Sequence, residues 1–189
     1  MSRGRRLSLA GVALVATLAS PPAAADAPAP RGVYLRLDVG YGYTGYRPRA
    51  LYNQIEAGAT AIGALTAGGT IGDDWLLYGA VELDGVHAFA ADSSSTTLSS
   101  LGVGVARFMD PCALVLSTSL RLVQLRWSAT DAGFSGIGPG LDVSVGKDIP
   151  IARRWSVGAA GRLFVATVSL PAERITPYGV ALLLSVARR

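Results

Sequence analysis

Side-chain polarity in this chain alternates with a period of two residues along most of its length. Only a β-strand points successive side chains to opposite faces, so the pattern restricts the chain to sheet structure. Residues 33–43 are the clearest case: Val33, Leu35, Leu37, Val39, Tyr41 and Tyr43 fall on one face, and Tyr34, Arg36, Asp38, Gly40 and Gly42 on the other. Segments 75–85, 136–146, 155–165 and 177–187 alternate in the same way. Segment 98–107 sets Leu101, Val103 and Val105 against Gly102 and Gly104. Segment 113–127 starts with Leu114, Leu116, Leu120 and Leu122 on one face, then moves its apolar parity to Val123, Leu125 and Trp127, which predicts a bulge near Leu122. Segment 58–71, rich in Gly, Ala and Thr, is a strand by its place in the series. No helical stripe competes, and the expectation is eight antiparallel strands.

The connections also alternate. Gly72-Asp73-Asp74, Met109-Asp110-Pro111 and Lys147-Asp148-Ile149-Pro150, running on to Arg154, carry tight-turn chemistry. Segments 44–57, 86–97, 128–135 and 167–176 are longer or more polar. Short turns at one end and long loops at the other are the plan of an up-and-down membrane barrel. Aromatic residues gather near strand ends: Tyr41, Tyr43, Tyr46, Trp127, Phe134 and Tyr178 toward the loops, Trp75, Phe108 and Trp155 toward the turns. They are expected to form two interfacial girdles.

A soluble lipocalin-like carrier would have the same strand count with an apolar inside and a wet outside. The polar faces argue against it. Lys147 is the only lysine, and these faces consist mainly of Gly, Ala and Ser with isolated charges: Arg36, Asp38, Glu82, Asp84, Arg121, Asp142 and Arg162. Small residues and pairable charges suit the narrow interior of eight strands, and the uncharged aliphatic face suits lipid. The expected fold class is therefore all-β, an eight-stranded antiparallel up-and-down transmembrane β-barrel. The seven charges are expected to form a structural network that plugs the lumen, each arginine within salt-bridge reach of a carboxylate.

Arg3, Arg5 and Arg6 precede an apolar run from Leu7 to Leu18, and Ala23 and Ala25 fit an A-x-A cleavage site. Residues 1–25 read as a cleaved secretory signal peptide, 26–31 as a periplasmic linker and 32–189 as the barrel. The run is too short for the ~20 residues of a spanning helix. Without residues 1–25, 14 basic residues face 13 acidic ones, so the basic balance implies no nucleic-acid partner.

The stretches Gly68-Gly69-Thr70-Ile71-Gly72-Asp73-Asp74-Trp75-Leu76-Leu77-Tyr78-Gly79 and Gly138-Pro139-Gly140-Leu141-Asp142-Val143-Ser144-Val145-Gly146 resemble strand–turn–strand segments of the outer-membrane β-barrel superfamily of Gram-negative bacteria, in its small eight-stranded class. The resemblance is one of pattern and covers about residues 31–187. It implies an outer-membrane location, outer-membrane lipid as surroundings, the barrel-assembly machinery as a partner during biogenesis, and a monomer. Tyr178, Gly179, Leu182 and Leu184 resemble the terminal signal of that family, but the chain finishes Val186-Ala187-Arg188-Arg189 where members carry an aromatic.

Little in the sequence points to chemistry. His87 is the only histidine, and a lipid hydrolase of Ser-His-acid type would need it to converge with a serine of 93–95 and with Glu82 or Asp84. No signature spacing supports that arrangement, and a solvated loop histidine is the expectation. Cys112 is the only cysteine and reads as a free thiol packed in a turn. One His, one Cys and scattered acids make no metal set, and no Lys-Ser/Thr follows Gly136–Gly140 to make a phosphate loop. The sequence implies no cofactor, no metal and no enzymatic activity. The outer-membrane hydrolase and the soluble carrier are the alternatives.

Overall fold

The computed structural model describes residues 33–46, 56–71, 74–88, 95–109, 113–128, 133–171 and 174–188. The signal peptide of 1–25, the linker of 26–31, the loop tip of 89–94, Cys112 and Arg189 lie outside the described residues.

Eight long strands form the wall: β1 (Val33–Tyr46), β2 (Glu56–Thr70), β3 (Trp75–Ala88), β4 (Ser95–Met109), β5 (Leu114–Ser128), β6 (Gly133–Ala152), β7 (Trp155–Ala166) and β10 (Tyr178–Arg188). Two-residue strands β8 (Val168–Ser169) and β9 (Arg174–Ile175) lie between the last two. Each long strand pairs antiparallel with its sequence neighbours, and β1 pairs with β10 from Leu35↔Arg188 to Gly45↔Tyr178, which closes the barrel. Closure leaves no open edge, as a hydrocarbon surround demands. Following paired residues once round from Trp75 through Arg107, Leu116, Val145, Gly161, Leu182, Tyr41 and Ala61 returns to β3 at Gly85, ten residues further along. That stagger tilts the strands by about 40° and leaves an interior just wide enough for side chains.

The aliphatic face of the alternation points outward. Val33, Leu37, Val39, Leu101, Leu120, Leu163, Leu182 and Leu184 are all more than half exposed on the outer wall. With Tyr41, Tyr43 and Tyr178 at one end and Trp75 and Trp155 at the other, they make a lipid-facing band edged by aromatics. The chain termini of the wall, Leu35 and Arg188, pair at the same end as the two-residue turn Arg153–Arg154.

Four expectations are corrected. Strand β5 has no bulge: its register with β4 and β6 is continuous from Leu114 to Ser128, and Val123 and Leu125 simply point inward. Strand β6 does not end at 146 but runs to Ala152, so the turn shrinks to Arg153–Arg154, with an irregularity between Pro150 and Ala152. The supposed loop 167–176 is largely a continuation of the β7–β10 hairpin in the same register: Ser169 faces Ile137, and Val168 faces Ile175. Prolines interrupt it. Pro139 and Pro177 lack an N–H, so the ladder survives there only through Thr167 N–H donating to Pro139 O (2.8 Å) and Ala166 N–H donating to Pro177 O (2.8 Å). Finally, three girdle aromatics belong inside. Phe108 packs edge-on against Tyr34 with centroids 6.2 Å apart, Tyr46 is buried, and Trp127 packs on an interior apolar cluster.

Candidate functional site

The inward faces stack in layers along the lumen. At the turn end lie Tyr34, Leu76, Tyr78, Ala80, Ala106, Phe108, Val115 and Ala187. At the loop end lie Tyr46, Val86, Leu98, Val123, Leu125, Ala166, Val168 and Ile175, where the Tyr46 hydroxyl meets Thr96 Oγ1 at 3.1 Å. The charges sit between and beside these two apolar layers, in two groups.

The group nearer the turns is centred on Arg36 of β1. Its Nε donates to Asp38 Oδ1 at 2.8 Å, and its Nη1 lies 3.4 Å from Asp148 Oδ1. Asp148 is not among the seven charges expected from the sequence, because Pro150 gives its segment the look of a turn. The signal was present, since Asp142, Ser144, Gly146 and Asp148 share one parity of β6.

In the second group, two arginines share two carboxylates. Arg121 Nη1 is 2.6 Å from Glu82 Oε2, and its Nη2 is 3.4 Å from Asp142 Oδ1. Arg162 Nη2 is 2.5 Å from Glu82 Oε1, and its Nε donates to Asp142 Oδ2. Two hydroxyls complete Arg121: its Nε donates to Ser119 Oγ (3.0 Å) and its Nη1 to Ser100 Oγ (3.2 Å). These four charged groups come from β3, β5, β6 and β7, so the ring ties together strands from across the barrel. Glycine makes the room. A Cβ on Gly102 would lie 2.7 Å from Arg121 Cγ, and one on Gly104 would lie 2.6 Å from the Tyr78 hydroxyl.

Asp84 is buried beside this ring, yet no described arginine pairs with it; among the described residues its Oδ1 and Arg162 Nη1 are both without a hydrogen-bond partner. A cavity of about 10 Å³ bordered by Glu82, Asp84, Arg121 and Arg162 adjoins them, and one of about 60 Å³ is lined by members of both charge groups and by the apolar layer at the turn end. Such volumes hold from one to a few waters.

His87 sits near the loop end of β3. By register it stands opposite Ser95 on β4 and Ala59 on β2, while Glu82 and Asp84 are buried in the lumen on the other parity of β3. Among the described residues no group of three or more His, Cys, Asp or Glu side chains could hold a metal.

No protein-family model matches the chain, and no curated protein matches it. Solved structures do. Neisserial surface protein A superposes with a TM-score of 0.55 at 17% identity, over 82% of this chain and 96% of that one. The attachment invasion locus protein of Yersinia pestis gives 0.46 at 12% identity, over 82% and 99% of the two chains. OprG from Pseudomonas aeruginosa gives 0.46 at 8%, over 85% and 96%. The likeness is one of fold: the chain forms a closed, antiparallel, eight-stranded β-barrel of the kind seen in Neisserial surface protein A.

Proposed function

We propose that this barrel is an integral protein of the outer membrane with a structural or surface-interaction role, its lumen closed to solutes by paired charges. The observation that carries this reading is the shared ring of Arg121, Arg162, Glu82 and Asp142, capped by an apolar layer on the loop side. A guanidinium held by two carboxylates is neutralised in place and offers no free charge to a passing ion. Small barrels host many activities, so the fold itself assigns none; the role falls to whatever the long loops display. The export address in residues 1–25 and the uncharged outer band support the location.

Planar-bilayer recording of the refolded full chain tests the closed lumen. Absent or very small conductance is expected, with Arg36→Ala lowering stability more than it raises current. A steady ion-selective current that changes in Arg121→Ala would show that the charges line a pathway. The enzymatic rival is a lipid ester hydrolase built on His87 and Ser95, which stand opposite one another on β3 and β4. Among the described residues, the carboxylates of β3 are Glu82 and Asp84, both buried in the lumen on the other parity from His87. Ester release from lipid by the protein in micelles, abolished in His87→Ala, would establish the rival and end the non-enzymatic reading.

A further inference from the structure

We propose that the outer wall of β6, β7 and β10 near the turns is a binding site for one anionic phospholipid. Among the described residues, four cations gather at the turn end of this wall, Lys147 half-buried and the three arginines exposed. Lys147 is on β6 opposite Ala159 of β7; Arg188 is on β10 opposite Trp155 of β7; Arg153 and Arg154 form the turn that joins β6 to β7. No described carboxylate pairs with any of the four, and the acid of that neighbourhood, Asp148, is turned inward to Arg36. Stagger brings Lys147 and Arg188, two strands apart, to similar depth on either side of β7, level with the Trp155 ring that marks the interface.

The wall above these cations gives the occupant its tail. Outward positions on β7 run Val157, Ala159, Gly161, Leu163, and at the two small residues the flanking strands keep long ones: Val145 opposite Gly161 on β6, Leu182 and Leu184 opposite Gly161 and Ala159 on β10. The result is a shallow trough running up from the cations across the lipid-facing surface. A Cβ added at Gly161 would meet nothing nearer than 4.0 Å. Phosphate between Lys147 and Arg188, with an acyl chain in the Ala159–Gly161 trough, satisfies both features, whereas a soluble anion would use only the first. Strand β2 supplies an internal contrast. Ala61 and Gly63 make a similar pair of small outward residues, but no described cation stands on β2.

Native mass spectrometry of the full-length barrel in micelles, titrated with phosphatidylglycerol or phosphatidylcholine, tests the site. One phosphatidylglycerol is expected to be retained in preference, by about 10- to 30-fold, given the pull of two or more cations on an anionic headgroup. Lys147→Gln with Arg188→Gln should reduce that preference to near unity. Arg107→Gln should leave it unchanged, since Arg107 lies on β4, away from the trough and over the Trp75 ring. Gly161→Leu should weaken phosphatidylglycerol and phosphatidylcholine together by filling the trough. Equal retention of both lipids by the parent protein, an unchanged preference in the double variant, or displacement of the lipid by soluble glycerol phosphate at matching concentration would each overturn the proposal. Migration as the compact, heat-modifiable form checks that every variant is folded.

Discussion

Strand β5 contains both halves of the molecule within fifteen residues. From Leu114 to Leu122 its outward residues are Leu114, Leu116, Thr118, Leu120 and Leu122, and its inward ones include Ser117, Ser119 and Arg121. Two residues further the arrangement is reversed: Gln124 and Arg126 face out, while Val123 and Leu125 are buried in the lumen. The neighbouring strand β4 reverses alongside, with Leu101 outward below and Ser99 and Thr97 outward above, and Leu98 turned in. The backbone is continuous through the change. What differs is the solvent around it: hydrocarbon surrounds the lower wall, so the outside is apolar and charge is confined within; water surrounds the upper wall, which therefore needs an apolar core of its own. A change of polar parity marks the bilayer surface and need not mark a bulge.

The strongest challenge to this contrast is inside the lower half. Arg162→Ala leaves Glu82 and Asp142 facing each other with only Arg121 between them, and should lower stability by about 3–5 kcal/mol in urea unfolding of the vesicle-inserted barrel. A loss below 1 kcal/mol would mean that the ring is hydrated and contributes little.

A paired substitution examines the outer face directly. Leu120→Arg places a charge against hydrocarbon and should cost about 2–4 kcal/mol. Gln124→Arg, at the same parity of the same strand, should stay within about 0.5 kcal/mol. Equal costs at the two positions would put the membrane boundary elsewhere.

Smaller effects sharpen the upper half. Tyr46→Phe removes the buried hydroxyl contact with Thr96 and should lower stability by about 1 kcal/mol by the same unfolding measurement. In the turn before β5, Ala113 holds a φ of 53°, a left-handed conformation that strains an alanine. Ala113→Gly should therefore be neutral or raise the unfolding free energy slightly, by less than about 1 kcal/mol.

The lumen network was only partly legible in the sequence. Arg36, Asp38, Glu82, Arg121, Asp142 and Arg162 stand out because a charge on the small-residue face of an alternating strand has few places to go. Asp148 was hidden by Pro150, which reads as a turn signal although β6 tolerates it near its end, beside the register irregularity. Ser100 and Ser119 carried no signal, because a serine on that face looks like any other small filler. The inward turn of Phe108 and Tyr46 was equally invisible: an aromatic near a strand end suits either a girdle or a plug, and only its parity against the closed wall decides.

The sequence by itself determined the strands and their faces, and hence a barrel that must close in lipid, because period-two alternation is a local property of the backbone. Tertiary structure decided the rest. Which acid meets which arginine depends on the ten-residue stagger around the wall, a quantity that no single strand contains. The stagger also brings Lys147 and Arg188 to either side of one trough, although they lie far apart along the chain. Register is a relation between strands, and it exists only once the barrel has closed.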